Sequence, residues 1–116
     1  MSETINQPET PDGDTPSMQD LIRQTVTDNR VVLFMKGNAS FPQCGFSGRA
    51  IQILQALNTE FVTVDVLSND EVREGIKAYS SWPTIPQLYV NGEFIGGSDI
   101  MTEMYEAGEL QSVLSA

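Results

Sequence analysis

From Ser17 onward, apolar residues recur in blocks, and the spacing within each block predicts its element. Leu21, Ile22, Thr25 and Val26 repeat at helical spacing behind a Ser17/Asp20 pair suited to cap a helix start. Val31 to Met35 is an unbroken apolar run rich in β-branched residues, as expected of a strand buried on both faces. A polar loop with glycine and proline, Gly37 to Gln43, follows it. Ala50, Ile51, Leu54 and Leu57 then mark a helix beginning at about Gly45, and Phe61 to Val66 a second strand. Ser68 and Glu71 have the spacing of a capping box for a third helix, which carries Val72, Ile76 and Tyr79. The stretch Ser81-Trp82-Pro83-Thr84-Ile85-Pro86 ends that helix. Gln87–Val90 and Glu93–Ile95 flank Asn91-Gly92, the dipeptide of a type I′ hairpin. Gly96-Gly97 leads to Ser98, read as the N-cap of a helix ending near Gly108. Leu110, Val113 and Leu114 mark a last short helix.

The predicted order is α-β-α-β-α-β-β-α-α. A helical crossover links the first two strands, which should therefore be parallel, while the hairpin strands are antiparallel. These connections imply an α/β domain with one mixed four-stranded sheet and helices on both faces. Residues 1–16 differ in kind, with three prolines, four carboxylates and only Met1 and Ile5 as bulky apolar residues. They read as a disordered acidic tail, or alternatively as a short acidic interaction motif. The folded domain is 17–116.

Composition narrows the chemistry. The chain has 116 residues with 16 acidic and 6 basic side chains, a net charge of −10. The cations Arg23, Arg30, Lys36, Arg49, Arg73 and Lys77 are scattered, which argues against a nucleic acid or an anionic membrane as partner. No apolar run approaches the ~20 residues that span a bilayer. The N-terminus lacks the marks of a signal or transit peptide. The expected location is the cytoplasm, a reducing compartment. There is no histidine and a single cysteine, Cys44. An internal disulfide, an imidazole-assisted nucleophile and a self-contained soft-metal site are all excluded.

Cys44 stands where a loop becomes a helix, so unpaired N–H groups and the helix dipole favour its thiolate. Lys36, at the end of the first strand, can bring an ammonium toward the same place. Gly45 leaves room for an approach to the sulfur. Ser47 sits where a CxxC motif would carry its second cysteine, and can only cap or hydrogen-bond.

Cys44-Gly45-Phe46-Ser47 resembles the signature of the monothiol glutaredoxins of the CGFS type. Met35-Lys36-Gly37, Trp82-Pro83-Thr84-Ile85-Pro86 and Gly96-Gly97-Ser98-Asp99-Ile100 carry the same resemblance, in order, over about Ser17 to Ser115. It implies a thioredoxin-like fold, with 17–116 a glutaredoxin domain, and a glutathione groove beside the cysteine. Lys36 and Arg73 would pair with glutathione carboxylates, although each alone reads equally as a solvated charge. Pro86 would be cis, turning the Ile85 backbone toward the cysteinyl part of glutathione, with Thr84 on the same wall. The N–H groups of Gly97, Ser98 and Asp99 would receive the γ-glutamyl carboxylate, and the Asp99 side chain its ammonium. Phe46 is an exposed aromatic beside the thiol. Trp82 either shields the site or packs the core.

Two functions follow from the resemblance. The first is an iron–sulfur cluster carrier. A [2Fe–2S] cluster needs four thiolates, supplied by two Cys44 residues of a homodimer and two glutathiones. It would be handed by ligand exchange to acceptor proteins, and BolA-like proteins would be partners. The second is a glutathione-dependent thiol–disulfide oxidoreductase, with Cys44 the nucleophile on glutathionylated proteins. The CGFS class, with its extended loop before the cysteine, is a poor catalyst of that reaction. A third reading is an interaction module whose thiol is inert.

Overall fold

The structure, a computed structural model, describes residues 16–115. The tail expected over 1–16 lies outside them except for Pro16.

The first strand organises everything else. β1 (Val31–Met35) is buried at all five positions. It pairs in parallel with β2 (Val62–Asp65), Leu33 opposite Thr63. On its other edge it pairs antiparallel with β3 (Gln87–Val90), Leu33 opposite Leu88. β4 (Glu93–Gly96) completes a sheet of order β2-β1-β3-β4. Asn91 and Gly92 between β3 and β4 have φ of 53° and 83°, the two positive values a type I′ turn requires. The expected mixed four-stranded sheet is therefore present, with β2 shorter than the Phe61–Val66 run.

Side chains alternate across β1. Val31, Leu33 and Met35 face one side, against Ala50, Ile51, Ile53 and Leu54 of α2 (Gly45–Ala56). Met101 of α4 (Ser98–Glu106) and Leu110 and Leu114 of α5 (Glu109–Ser115) close that layer. Val32 and Phe34 face the other side with Tyr89. There they meet Ile22 and Val26 of α1 (Met18–Asp28) and Ile76 of α3 (Asp70–Ser80). Gly75 brings α1 and α3 close: a Cβ there would lie 2.7 Å from Met18 Cγ. Gln19 Nε2 donates to the Gly75 carbonyl across the same contact.

The helix starts test the capping expectations. Ser17 and Asp20 form the reciprocal box expected of them. At α3 the cap is instead Asn69, whose side chain accepts from the Glu71 and Val72 N–H groups. The Ser68 hydroxyl donates backward to the Asp65 carbonyl, so it is spent on the preceding turn. At α4 the N-cap is Gly97 and no side chain caps it; Ser98 is the first helical residue. Leu21 also departs from the expected apolar stripe: it is exposed, and Ile22 and Val26 carry the α1 contact.

Candidate functional site

Three structures converge at one end of the sheet: the β1–α2 loop, the segment between α3 and β3, and the start of α4. The first holds the sulfur. Gly37 (φ 88°) turns the chain out of β1, in a conformation that glycine alone adopts without strain. The Gln43 N–H returns to the Lys36 carbonyl at 2.8 Å, setting Cys44 beside the strand end. Cys44 is the N-cap of α2, and its sulfur accepts from the Ser47 N–H at 3.4 Å.

Ser47 is fully buried, and its Oγ lies 3.5 Å from Cys44 Sγ. That oxygen already accepts from the Lys36 N–H at 3.1 Å. When the thiol ionises, the hydroxyl proton is left to point at sulfur. Burial pushes the Cys44 thiol up. The Ser47 N–H, the Ser47 hydroxyl, the Phe46 N–H and the Lys36 ammonium outweigh it, and the net shift is downward. Cys44 is half-buried, and a Cβ on Gly45 would meet nothing within 4 Å. The sulfur has an open approach.

Beside it lies a groove of about 400 Å³. Lys36, Phe46, Arg73, Thr84, Ile85, Pro86, Gly97, Ser98 and Asp99 all line it, so the residues singled out by motif converge in space. Cys44 is not a lining residue; it stands at the end marked by Lys36 and Phe46. The Ile85–Pro86 peptide is cis. Among the described residues, neither the Ile85 N–H nor its carbonyl has a hydrogen-bond partner. Beside this segment the first helical bond of α4 runs from Met101 N to Gly97 O, so the three preceding N–H groups lack helical partners. With no side-chain cap, they remain available to an anion.

Four lining residues were not assigned by sequence: Lys77, Trp82, Pro83 and Ile100. Lys77 is four residues after Arg73, one turn along the same face of α3, and that spacing was the available signal. It also lies 3.8 Å from Glu74. Among the described residues, Lys36 and Arg73 have no carboxylate partner. Trp82 lines the groove without joining the core: it stays 40% exposed, with its ring 5.9 Å from that of Phe94. Phe46, which lines the groove, and Phe41, in the loop before Cys44, are exposed at 65% and 71%.

One cationic end, one helix start with a neighbouring carboxylate, and unpaired extended backbone between them fit a short peptide bearing carboxylates and an ammonium. The fold and site define a thioredoxin-like protein built around a helix-end cysteine. Comparison with known proteins agrees. The glutaredoxin family profile matches residues 31–95. The chain is 59% identical over 99 residues to an uncharacterized monothiol glutaredoxin of Synechocystis sp., covering 85% of this chain and 92% of that one. It is 57% identical over 96 residues to a mitochondrial monothiol glutaredoxin of Schizosaccharomyces pombe, covering 80% and 66%. The solution structure of a reduced apo poplar glutaredoxin superposes with a TM-score of 0.74 at 54% identity, over 84% of this chain and 90% of that one. A buckwheat glutaredoxin–glutathione complex matches with a TM-score of 0.76 over 84% and 87%, but at 23% identity this shows the fold alone. The chain belongs to the glutaredoxin family, in its monothiol branch. No helix among the described residues is long and apolar enough to cross a membrane.

Proposed function

We propose that this monothiol glutaredoxin binds glutathione in the groove beside Cys44 and carries a [2Fe–2S] cluster bridged between two copies of the chain. The observation that supports this best is the single thiolate-favouring cysteine at the mouth of a groove with peptide-like charge complementarity. Glutathione would lie with a carboxylate toward Lys36, Arg73 and Lys77. Its cysteinyl backbone would face Ile85, and its γ-glutamyl end the start of α4 and Asp99. Its sulfur is then brought next to Cys44.

The donor set fits a shared cluster and no private one. Among the described residues no group of three or more Cys, Asp or Glu could hold a metal. One sulfur per chain, doubled by dimerisation and supplemented by two glutathiones, gives the four thiolates required. The exposed Phe41 and Phe46 offer apolar surface for the second copy, a BolA-like protein or an acceptor. The cluster is cargo, passed by ligand exchange to acceptor proteins. The cytoplasm, as a reducing compartment, belongs to the same proposal; the Schizosaccharomyces relative is named as mitochondrial.

A second reading, thiol–disulfide exchange, is favoured by the lowered Cys44 pKa and open sulfur. The thiolate would attack the glutathionyl sulfur of a mixed disulfide and expel the protein thiolate. A second glutathione thiolate would then attack the new mixed disulfide, releasing glutathione disulfide and restoring Cys44. Anaerobic reconstitution with iron, sulfide and glutathione separates the two. A glutathione-dependent visible chromophore on a dimer, absent in Cys44→Ser, is the expected result. No chromophore, with rapid reduction of a glutathionylated substrate, would replace the carrier by the exchange enzyme.

A further inference from the structure

Gln87, the first residue of β3, is a polar side chain with no exposed surface, and it does not line the groove. Its amide nitrogen donates to two carbonyls of the groove wall, Trp82 O at 3.1 Å and Thr84 O at 3.2 Å. Its amide oxygen accepts from the Tyr89 hydroxyl at 3.3 Å. The Tyr89 contact decides which way the amide faces, because a flipped amide would put oxygen against both carbonyls and NH₂ against a donor. Burial pushes the Tyr89 phenol up to about 12, so it keeps its proton and remains a donor.

The wall needs such a tie. Between Trp82 and Pro86 the chain has no regular structure, and two of its five residues are prolines without an N–H. The Trp82 N–H is held by the Lys77 carbonyl and the Ser80 hydroxyl at the end of α3. Beyond that point, among the described residues, the only hydrogen bonds to this segment other than one from Ser80 to the Trp82 carbonyl come from Gln87. Ile85, whose backbone groups are unpaired, follows directly.

We propose that Gln87 is the positioning residue of the glutathione groove. Its buried amide, oriented by Tyr89, anchors the Trp82 and Thr84 carbonyls to the central sheet and so fixes the Ile85 backbone beside the start of α4. The role rests on the glutathione reading, but the wall can be measured without ligand.

Gln87→Met removes the amide at nearly constant length. Its folding is checked by thermal melting and its sulfur by the rate of Cys44 alkylation. Trp82, the chain's single tryptophan, reports on the wall through acrylamide quenching, and hydrogen exchange reports the Trp82 amide, which the Lys77 carbonyl and the Ser80 hydroxyl hold. The expected result is a folded protein with wild-type alkylation, faster quenching and exchange confined to the wall, and glutathione binding about tenfold weaker. Tyr89→Phe, which leaves the amide without its orienting donor, should shift the same readouts less far; it carries the test if Gln87→Met does not fold. Wild-type quenching and exchange overturn the proposal, as does unchanged glutathione affinity with a loosened wall. If the wild-type chain binds no glutathione, the functional reading falls, and quenching and exchange alone decide the anchor.

Discussion

Cys44 owes its chemistry to Ser47 more than to any full charge. The Ser47 backbone N–H and its side-chain hydroxyl are two of the groups that lower its pKa, and both belong to a residue with no access to water. The rate of Cys44 alkylation should therefore rise with a midpoint below that of an unperturbed cysteine thiol. In Ser47→Ala the midpoint should move back upward, as read from alkylation against pH. The sign for stability follows. A lowered thiol pKa contributes stability that is present above the unfolded value and is lost as pH falls through the folded one. Cys44→Ser should thus cost most at alkaline pH in parallel denaturant titrations. The cysteine and its motif were legible in the sequence because loop, glycine and helix start are local features. Lys77 was not, because a charge on a helix reads as solvated until its face is known. Gln87 was not, because a glutamine at a strand start gives no sign that a wall will close over it.

Elements were legible where local pattern and tertiary packing agree. The β1 run is apolar at every position, and every position is buried. Asn91-Gly92 makes the turn its dipeptide demands. Caps were harder, since neighbouring residues compete for one site. Ser68 and Asn69 can each begin a helix, and Asp65 decides between them. Its carbonyl engages the Ser68 hydroxyl, and its carboxylate holds the Leu67 and Gly37 N–H groups. Asn69→Ala should accordingly destabilise the fold by ~1 kcal/mol in denaturant titration, and Ser68→Ala by clearly less. The reverse order would restore the Ser68 box. At α4 no side chain caps the start, so its first N–H groups are left unoccupied, where a capping side chain would have engaged them.

At the scale of the whole molecule, charge is distributed against its sum. The chain carries −10, yet four of its six cations surround the site: Lys36, Arg73 and Lys77 in the groove and Arg49 in the adjoining cleft with Phe46 and Asp99. The other two are engaged elsewhere, Arg23 with Asp20 and Arg30 with the Leu114 carbonyl. A glutathione approaching the groove meets local attraction inside a repulsive surround. The near charges act over less than the ~8–10 Å screening length of ordinary buffers and should dominate once it is bound. Affinity should then fall several-fold between low and about 0.5 M salt, as followed by titration calorimetry, and Arg73→Ala should flatten that dependence. Ser47, finally, occupies the place from which a second sulfur could have answered the first. Every disulfide of this protein must therefore join two molecules, and its formation is second order. Each arises by exchange with an existing disulfide, which gives up a thiolate, so dilution slows its formation and the occupancy of Cys44 tracks the balance of thiols and disulfides around it.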